Sequence, residues 1–351
     1  MKPRFRFSLK AMVVVLTLGV VAFGFLTTRM RRARQQAAAI DLIMQDSQFN
    51  KCRYGFEMTD ELLFDFPVTN IDAESPVPSW LRNWLGADFF HTVEYVDVLH
   101  SDPTENPIVP MLKMGNAKFV DAGFLAAKDF PSLTNCRNLE FLSVQNSSVV
   151  DLEPISTLRQ LRHLDIQATS VSDLQPIENL IKMRRLHAQM TSIHDLQPLH
   201  RMKSLERLSI GQTQVSDLSP IADLTNLTQL KAANIPLASL QPLRQLKNLD
   251  TLEISINPET QAELTVLSGL TKLRELHIVG EELVINDVAF LDELTELIVL
   301  IFHGIELDIE DLSFVTRLPN LKYLHLGTTK LSEDELKFLQ KSMPDCHIVY
   351  P

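Results

Sequence analysis

The chain is poor in the residues that build most catalytic and metal-binding sites. Only three cysteines occur in 351 residues, and the wide spacing of Cys52, Cys136 and Cys346 predicts neither a disulfide framework nor a structural zinc site. Glycine is scarce, with 11 residues, so phosphate-cradling loops are not expected. The HExxH, GxSxG, P-loop and GxGxxG patterns are all missing. These absences argue against an enzyme, and we predict no catalytic residue, no metal and no cofactor.

Basic residues are scarce after the first 34 positions. Residues 1–34 contain eight Lys and Arg and no acidic residue. The whole chain has 33 basic and 44 acidic residues, so the remainder has 25 basic against 44 acidic residues and a net charge of −19. Because so acidic a surface repels phosphate backbones, the sequence predicts no nucleic acid partner.

The first long uncharged run is residues 11–28, "AMVVVLTLGVVAFGFLTT". A run of this length is at the short end of what crosses a bilayer as a helix. It could also be a cleaved signal peptide with small residues around Ala22. We favour a retained transmembrane helix over residues 11–28, because the apolar run continues past that cleavage site. A basic tail over residues 1–10 precedes it, and a juxtamembrane helix with a linker or cap over residues 29–76 follows it.

The charges beside the uncharged run bear on its orientation. Four Lys and Arg stand on each side of it, and the N-terminal amine tips the balance. Positive charge is retained on the cytoplasmic side. The sequence therefore predicts a single-pass membrane protein whose large domain lies outside the cytoplasm.

A repeat occupies the rest of the chain. The pattern LxxLxL begins at 139, 161, 183, 205, 227 and 249, every 22 residues, and then at 273, 297 and 321, every 24. A fixed period in the twenties with this pattern is typical of a solenoid of stacked strands. The chain resembles the internalin-type leucine-rich repeat family, in its bacterial membrane-anchored form, over about residues 93–350. The resemblance implies an α/β fold class with a curved parallel sheet on the concave side and short helices or 3₁₀ turns on the convex side. It also implies a repeat domain over residues 77–351, with a cap at each end.

A second motif marks the return segment of each unit. "DLEPI" stands at 151, "DLQPI" at 173, "DLQPL" at 195 and "DLSPI" at 217. The Asp can accept a hydrogen bond from a backbone N–H of the following turn, and Pro suits a first turn because it needs no N–H there. The motif therefore predicts the start of a helix or 3₁₀ helix, which is a structural role.

Hydroxyl side chains replace the Asn that the family usually has after the strand, and they predict a ladder of turn hydrogen bonds. They are Ser147, Thr169, Thr191, Thr213 and Thr329. Ile235, Glu281 and Ile305 break this ladder. We therefore expect irregular turns from residue 235 onward.

The third, fifth and seventh positions of each LxxLxL unit are predicted to form three exposed columns on the concave face. Five of the ten histidines fall in these 27 positions, together with Arg and Tyr, which are favoured at interfaces. We predict that this face binds a protein, a peptide or an envelope polymer. Two alternatives are a structural envelope component that self-associates and, if the topology is inverted, a cytoplasmic scaffold. The predicted binding residues are His163, Asp165, Arg185, His187, Arg207, Lys231, Glu253, His277, Tyr323 and His325.

Three narrower hypotheses concern the histidines of these columns. Asp165 beside His187 would make binding depend on pH. A triad of Asp165, His187 and Ser209 is rejected, because an open sheet provides neither an oxyanion hole nor a pocket that excludes water. A metal site is disfavoured, because no carboxylate completes the set of three histidines on consecutive strands. That set is His277, His303 and His325.

Overall fold

The computed structural model describes residues 9–46, 51–54, 58–63, 66–69, 75–79, 82, 87–97, 112–113, 115–123, 125–308 and 312–351. The α-helices are α1 Leu9–Asp46, α2 Ala87–Phe90, α3 Pro258–Gln261 and α4 Glu333–Ser342. The strands are β1 Lys51–Tyr54, β2 Met58–Leu63, β3 Phe66–Thr69, β4 Val93–Asp97, β5 Phe119–Asp121, β6 Phe141–Ser143, β7 His163–Asp165, β8 Arg185–His187, β9 Arg207–Ser209, β10 Gln229–Ala232, β11 Thr251–Ser255, β12 Glu275–Ile285, β13 Val299–Leu307, β14 Tyr323–Leu326 and β15 His347–Val349. The 3₁₀ helices are Phe130–Asn135, Glu153–Ile155, Gln175–Ile177, Gln197–Leu199, Ser219–Ile221, Gln241–Gln245, Leu264–Gly269, Ala289–Leu291 and Leu312–Arg317.

One long sheet organises the chain. Strands β4 to β15 follow each other in chain order and pair in parallel, and β1 adds an antiparallel strand beside β4. Equivalent positions of successive repeats face each other, as in the pairing of Leu164 with Leu186 and of Leu186 with Leu208. The predicted solenoid is confirmed. The antiparallel strand β1 and the separate hairpin of β2 and β3 were not predicted.

The core is a stack of the repeated leucines. The second leucine of each LxxLxL unit is fully or almost fully buried, and its neighbours are the same leucine of the units before and after. Burying such a side chain contributes about 2 kcal/mol. No single unit can cover its own apolar face, so stability comes from the stacking of neighbours.

The repeated Asp acts as the sequence predicts. The Oδ1 atom of Asp195 accepts a hydrogen bond from the backbone N–H of Gln197 at 2.8 Å. Asp151, Asp173 and Asp217 do the same in their own units at 2.7 to 2.8 Å. In these four units the return segment that follows is a 3₁₀ helix with Pro near its start. The motif therefore starts a 3₁₀ helix.

The hydroxyl ladder is confirmed in the regular units. Thr169, Thr191 and Thr213 each donate a hydrogen bond of 2.7 Å to the carbonyl three residues earlier. The ladder is broken at Ile235, as expected. Farther on, β12 and β13 are longer than the other strands of the sheet, and their pairing shifts register between Val279 and Leu283.

The N-terminal helix reaches the solenoid. Gln36, only 3% exposed, donates hydrogen bonds to Asp88 Oδ1 at 2.7 Å and to the carbonyl of His91 at 3.0 Å. Its Oε1 accepts the N–H of Val93, the first residue of β4, at 3.3 Å. Ala39 is buried beside it. The part of α1 around Gln36 and Ala39 is therefore part of the cap over the first strand.

The membrane span expected at residues 11–28 is not confirmed. This segment lies within α1, but the side chains of residues 9–19 are outside the described part of the chain. Among the residues that are described, no helix combines the length and the apolar character needed to cross a membrane. Much of the predicted N-terminal cap, residues 80–81 and 83–86, is likewise outside the described residues. At the other end, the helix α4 and the last strand β15 follow the final LxxLxL unit.

Candidate binding surface

The outward side chains of strands β5 to β15 form a continuous surface, which we call the sheet face. All ten residues predicted to bind a partner project from this face, in two columns that run across the strands. Nine of them are half-buried, and His163 is buried. From β7, which carries His163 and Asp165, to β14, which carries Tyr323 and His325, the sheet crosses seven strand spacings, roughly 34 Å. The predicted residues therefore line a long surface and do not converge on one point.

An aromatic row begins one of these columns. The rings of Phe119 and Phe141 lie 6.2 Å apart, and Phe141 meets His163 edge-on at 6.0 Å. His163 is only 8% exposed, so the expectation that it is an exposed contact residue was wrong. Neighbouring strands bring large side chains close enough to cover it. The pKa of His163 is lowered to about 4, mainly by burial and also by the nearby Arg184 and His187.

Two arginines continue the same column. Arg185 on β8 pairs directly with Arg207 on β9, and both side chains are half-buried. Burial lowers the pKa of Arg185, and the charge of Arg207 lowers it further, while Glu206 opposes the shift. Two like charges on adjacent strands repel each other.

The second column places Asp165, His187 and Ser209 on adjacent strands. The nearest oxygen of Asp165 is 3.8 Å from His187 Nδ1, which is longer than a hydrogen bond. The other carboxylate oxygen accepts the backbone N–H of Gln167 at 2.9 Å. Ser209 is 2% exposed and its hydroxyl is out of reach of a substrate. The geometry therefore brings a half-buried carboxylate and imidazole together without activating Ser209 as a nucleophile.

The C-terminal part of the sheet face carries the other histidines. The rings of His303 and His325 are 6.4 Å apart, and His325 Nδ1 lies within 3.1 Å of the N–H of Gly327. His277 is separated from His325 by the strand that carries Ile301. Across the described part of the chain, no group of three or more His, Cys, Asp and Glu side chains is placed to hold a metal ion.

Sequence reasoning missed both ends of the sheet face. Phe119 on β5 extends the aromatic row toward the N-terminus, and His347 on β15 stacks on Tyr323 with 5.5 Å between ring centres. Both residues belong to units that lack a complete LxxLxL pattern. Their register follows from the pairing of Phe119 with Phe141 and of Tyr323 with His347. Extending the repeat phase into the irregular end units would have found them.

Comparison with known proteins agrees with this architecture. A family model described as "Leucine-rich repeat region" matches residues 123–345. The chain belongs to the leucine-rich repeat family. A search of curated protein sequences finds no match. Among solved structures, an internalin from Listeria monocytogenes superposes with a TM-score of 0.59 at 20% identity, over 77% of this chain and 86% of that one.

Two other solved structures extend the comparison. A leucine-rich repeat protein of Leptospira interrogans gives a TM-score of 0.51 at 17% identity, over 69% of this chain and 74% of that one. The ectodomain of an Arabidopsis thaliana receptor kinase, in complex with CASPARIAN STRIP INTEGRITY FACTOR 2, gives 0.54 at 16% identity, over 70% of this chain and 30% of that one. At these identities the similarity shows the fold alone. The internalin-like resemblance is confirmed at that level.

Proposed function

We propose that this chain is a non-enzymatic binding protein that takes up a protein or peptide partner on its sheet face. The carrying observation is that charged and aromatic side chains, most of them half-buried, are distributed over the face from β5 to β15. Leucine-rich repeat proteins are typically binding scaffolds without catalysis. A structural neighbour of this fold is a receptor ectodomain in complex with another factor, which supports a protein or peptide partner here.

The arginine pair gives the partner a chemical character. Arg185 and Arg207 offer two adjacent guanidinium groups, which bind carboxylates through charge-assisted hydrogen bonds. Phe119 lies half-buried three strands from Arg185 in the same column. The preferred partner segment therefore places an acidic side chain over β8 and β9 and an apolar group toward β5.

We also propose that the N-terminal helix anchors the protein in a membrane as a single pass, with the repeat domain outside the cytoplasm. The uncharged run over residues 11–28 with basic residues on both sides supports this. The same helix continues to the contacts of Gln36 with the first strand. The anchor would thus join the solenoid without a flexible linker.

The binding proposal is tested with a double variant, Arg185→Gln and Arg207→Gln, in the full-length chain. The matched control changes Arg201→Gln and Arg244→Gln, two exposed arginines of the return segments. Both variants lose the same charge, so only a partner on the sheet face distinguishes them. Cross-linking in cells followed by mass spectrometry should show partners that the first variant loses and the control keeps. Identical partners for both variants would contradict binding at the sheet face.

The anchoring proposal is tested by protease accessibility. Digestion of the repeat domain in cells with a permeabilised outer layer and an intact inner membrane is the expected result. Protection until lysis would place the domain inside the cytoplasm and favour the scaffold alternative.

A further inference from the structure

A pair of cavities opens beside the sheet at the point where the repeat changes. The larger has a volume of about 510 Å³ and lies between the turn at Asn234–Pro236, the end of β11 and the bulge of β12. The smaller, of about 390 Å³, lies between α3 and Ile285, at the end of β12. Both are lined by Pro258, which forms a wall between them. We call the two together the side groove.

The local sequence explains why the groove exists. In the regular units a Thr hydroxyl closes the turn after each strand. After β11, Asn257 instead starts α3 with a capping box, accepting the N–H of Thr260 at 2.8 Å. The next strand, β12, continues to Ile285 and no longer follows the path of β11. The two chain paths separate, and the groove is the space left between them.

The lining of the larger cavity is largely apolar. Ile235 and Ile256 form part of this lining and are each 5% exposed. Val279 and Leu283 are half-buried and complete it on the side of β12. A cavity of this size accepts one or two side chains of a partner. Two such cavities on either side of Pro258 fit apolar side chains spaced along one extended segment.

The surroundings of the groove are acidic. Glu281 lines the larger cavity and Asp287 the smaller, and Glu282 and Glu259 are exposed next to them. Residues 256–311 contain 13 acidic residues and only two basic ones. With the residues that the structure describes, Glu281 and Glu282 form no ion pair. A cationic partner would therefore find an uncompensated negative rim.

We propose that the side groove docks an extended segment of a partner protein in which apolar residues alternate with Lys or Arg. The apolar side chains enter the cavities on either side of Pro258, and the cations meet Glu281, Glu282 and Asp287. Gln261 connects α3 to β12, because its side-chain amide donates a hydrogen bond to the carbonyl of Val284 at 2.7 Å. This contact is on the edge of β12 that does not pair with β13. The segment lies over this contact. This site is separate from the arginine pair on β8 and β9, which fits the opposite charge.

The test uses the full-length chain and a short fluorescein-labelled peptide in which leucine and lysine alternate. Fluorescence anisotropy should show saturable binding of this probe and none of a matched peptide in which leucine and glutamate alternate. Replacing Glu281→Lys together with Glu282→Lys should weaken binding roughly five-fold, because each exposed charge contributes modestly. Val279→Ala should weaken it roughly three-fold, because part of the apolar contact is lost.

A matched control separates the groove from general acidity. Glu293→Lys with Glu296→Lys makes the same change in charge at exposed positions that do not line either cavity. This control should keep the affinity within about two-fold of the unmodified chain. Circular dichroism of each variant checks that the solenoid is intact. An equal loss in the control, an unaltered Val279→Ala variant, or equal binding of the glutamate peptide would each overturn the proposal.

Discussion

The buried histidine of the sheet face gives a quantitative prediction. His163 has a pKa of about 4 in the folded protein, below the usual value of 6.5, mainly because it is buried. The His163 side chain therefore binds a proton more weakly in the folded state than in the unfolded chain. Stability from this residue is fully present above pH 6.5 and is lost as the pH falls from 6.5 toward 4. This is the direction expected for a group whose pKa is lowered by folding.

The magnitude follows from the two pKa values. Their difference corresponds to about 3 kcal/mol when the pH lies below both, and to about 2 kcal/mol near pH 5. His163→Gln removes the titrating group and keeps a polar side chain of similar size. Between pH 7.5 and about pH 5, the unmodified chain should lose about 2 kcal/mol more of its free energy of unfolding than the variant does.

The assay is urea unfolding of the full-length chain at several pH values, followed by circular dichroism. The carboxylates titrate in both proteins, so the difference between the two curves isolates His163. The control is His194→Gln, because His194 is exposed and this variant should keep the pH dependence of the unmodified chain. Parallel curves for the unmodified chain and His163→Gln would refute the burial argument.

Three further predictions concern the cap, the turn motif and the thiols. Gln36→Ala should lower the stability of the contact between α1 and β4 by about 2 kcal/mol, because the buried partners of Gln36 lose their hydrogen bonds. Backbone hydrogen exchange around α1 and β4 should therefore become faster. The control is Gln35→Ala, at an exposed position, and equal exchange in the two variants would contradict docking of α1. Asp195→Ala should lower the free energy of unfolding by urea by about 1 kcal/mol, because the N–H of Gln197 loses its hydrogen bond. The control Asp223→Ala, whose carboxylate caps no 3₁₀ helix, should lower it by less. Equal losses of stability would argue against the cap. Burial raises the pKa of Cys136 to about 12, so iodoacetamide at mildly alkaline pH should label the partly exposed Cys346 before Cys136, as followed by mass spectrometry. Rapid labelling of Cys136 in the native protein would show that it is accessible.

The regular part of the fold could be predicted because each unit repeats one physical solution. LxxLxL places its leucines inward on a strand, and the Asp of DLxP satisfies the N–H that a 3₁₀ start leaves open. Nine units in register make the phase unambiguous, so the columns of the sheet face follow directly. The sequence therefore places the right residues in each column, but it does not predict how deeply each side chain is buried. Whether His163 is exposed depends on its neighbours across the strands, such as Phe141, and no single unit contains that information.

The parts that escaped prediction are those where the repeat ends or changes. The contact of Gln36 with β4 joins residues 57 positions apart, and nothing in the local pattern of α1 marks Gln36 as buried. The side groove arises from a mismatch between a 22-residue and a 24-residue unit, so its volume depends on how two neighbouring turns diverge. The hydroxyl ladder of the turns is interrupted at Ile235 and Glu281. These interruptions indicate where the repeat becomes irregular, but they do not predict the shape of the side groove.

The two proposed contact regions have opposite charge, and this limits how a partner can lie on the solenoid. The arginine pair on β8 and β9 favours an acidic group, whereas the rim near Glu281 favours a basic one. The two regions are about three to four strands apart, roughly 15 to 20 Å along the sheet. One extended segment of five or six residues spans that distance. A single partner with an acidic end and a basic, apolar end would therefore bind in one direction only, because the reversed segment would place like charges together at both sites.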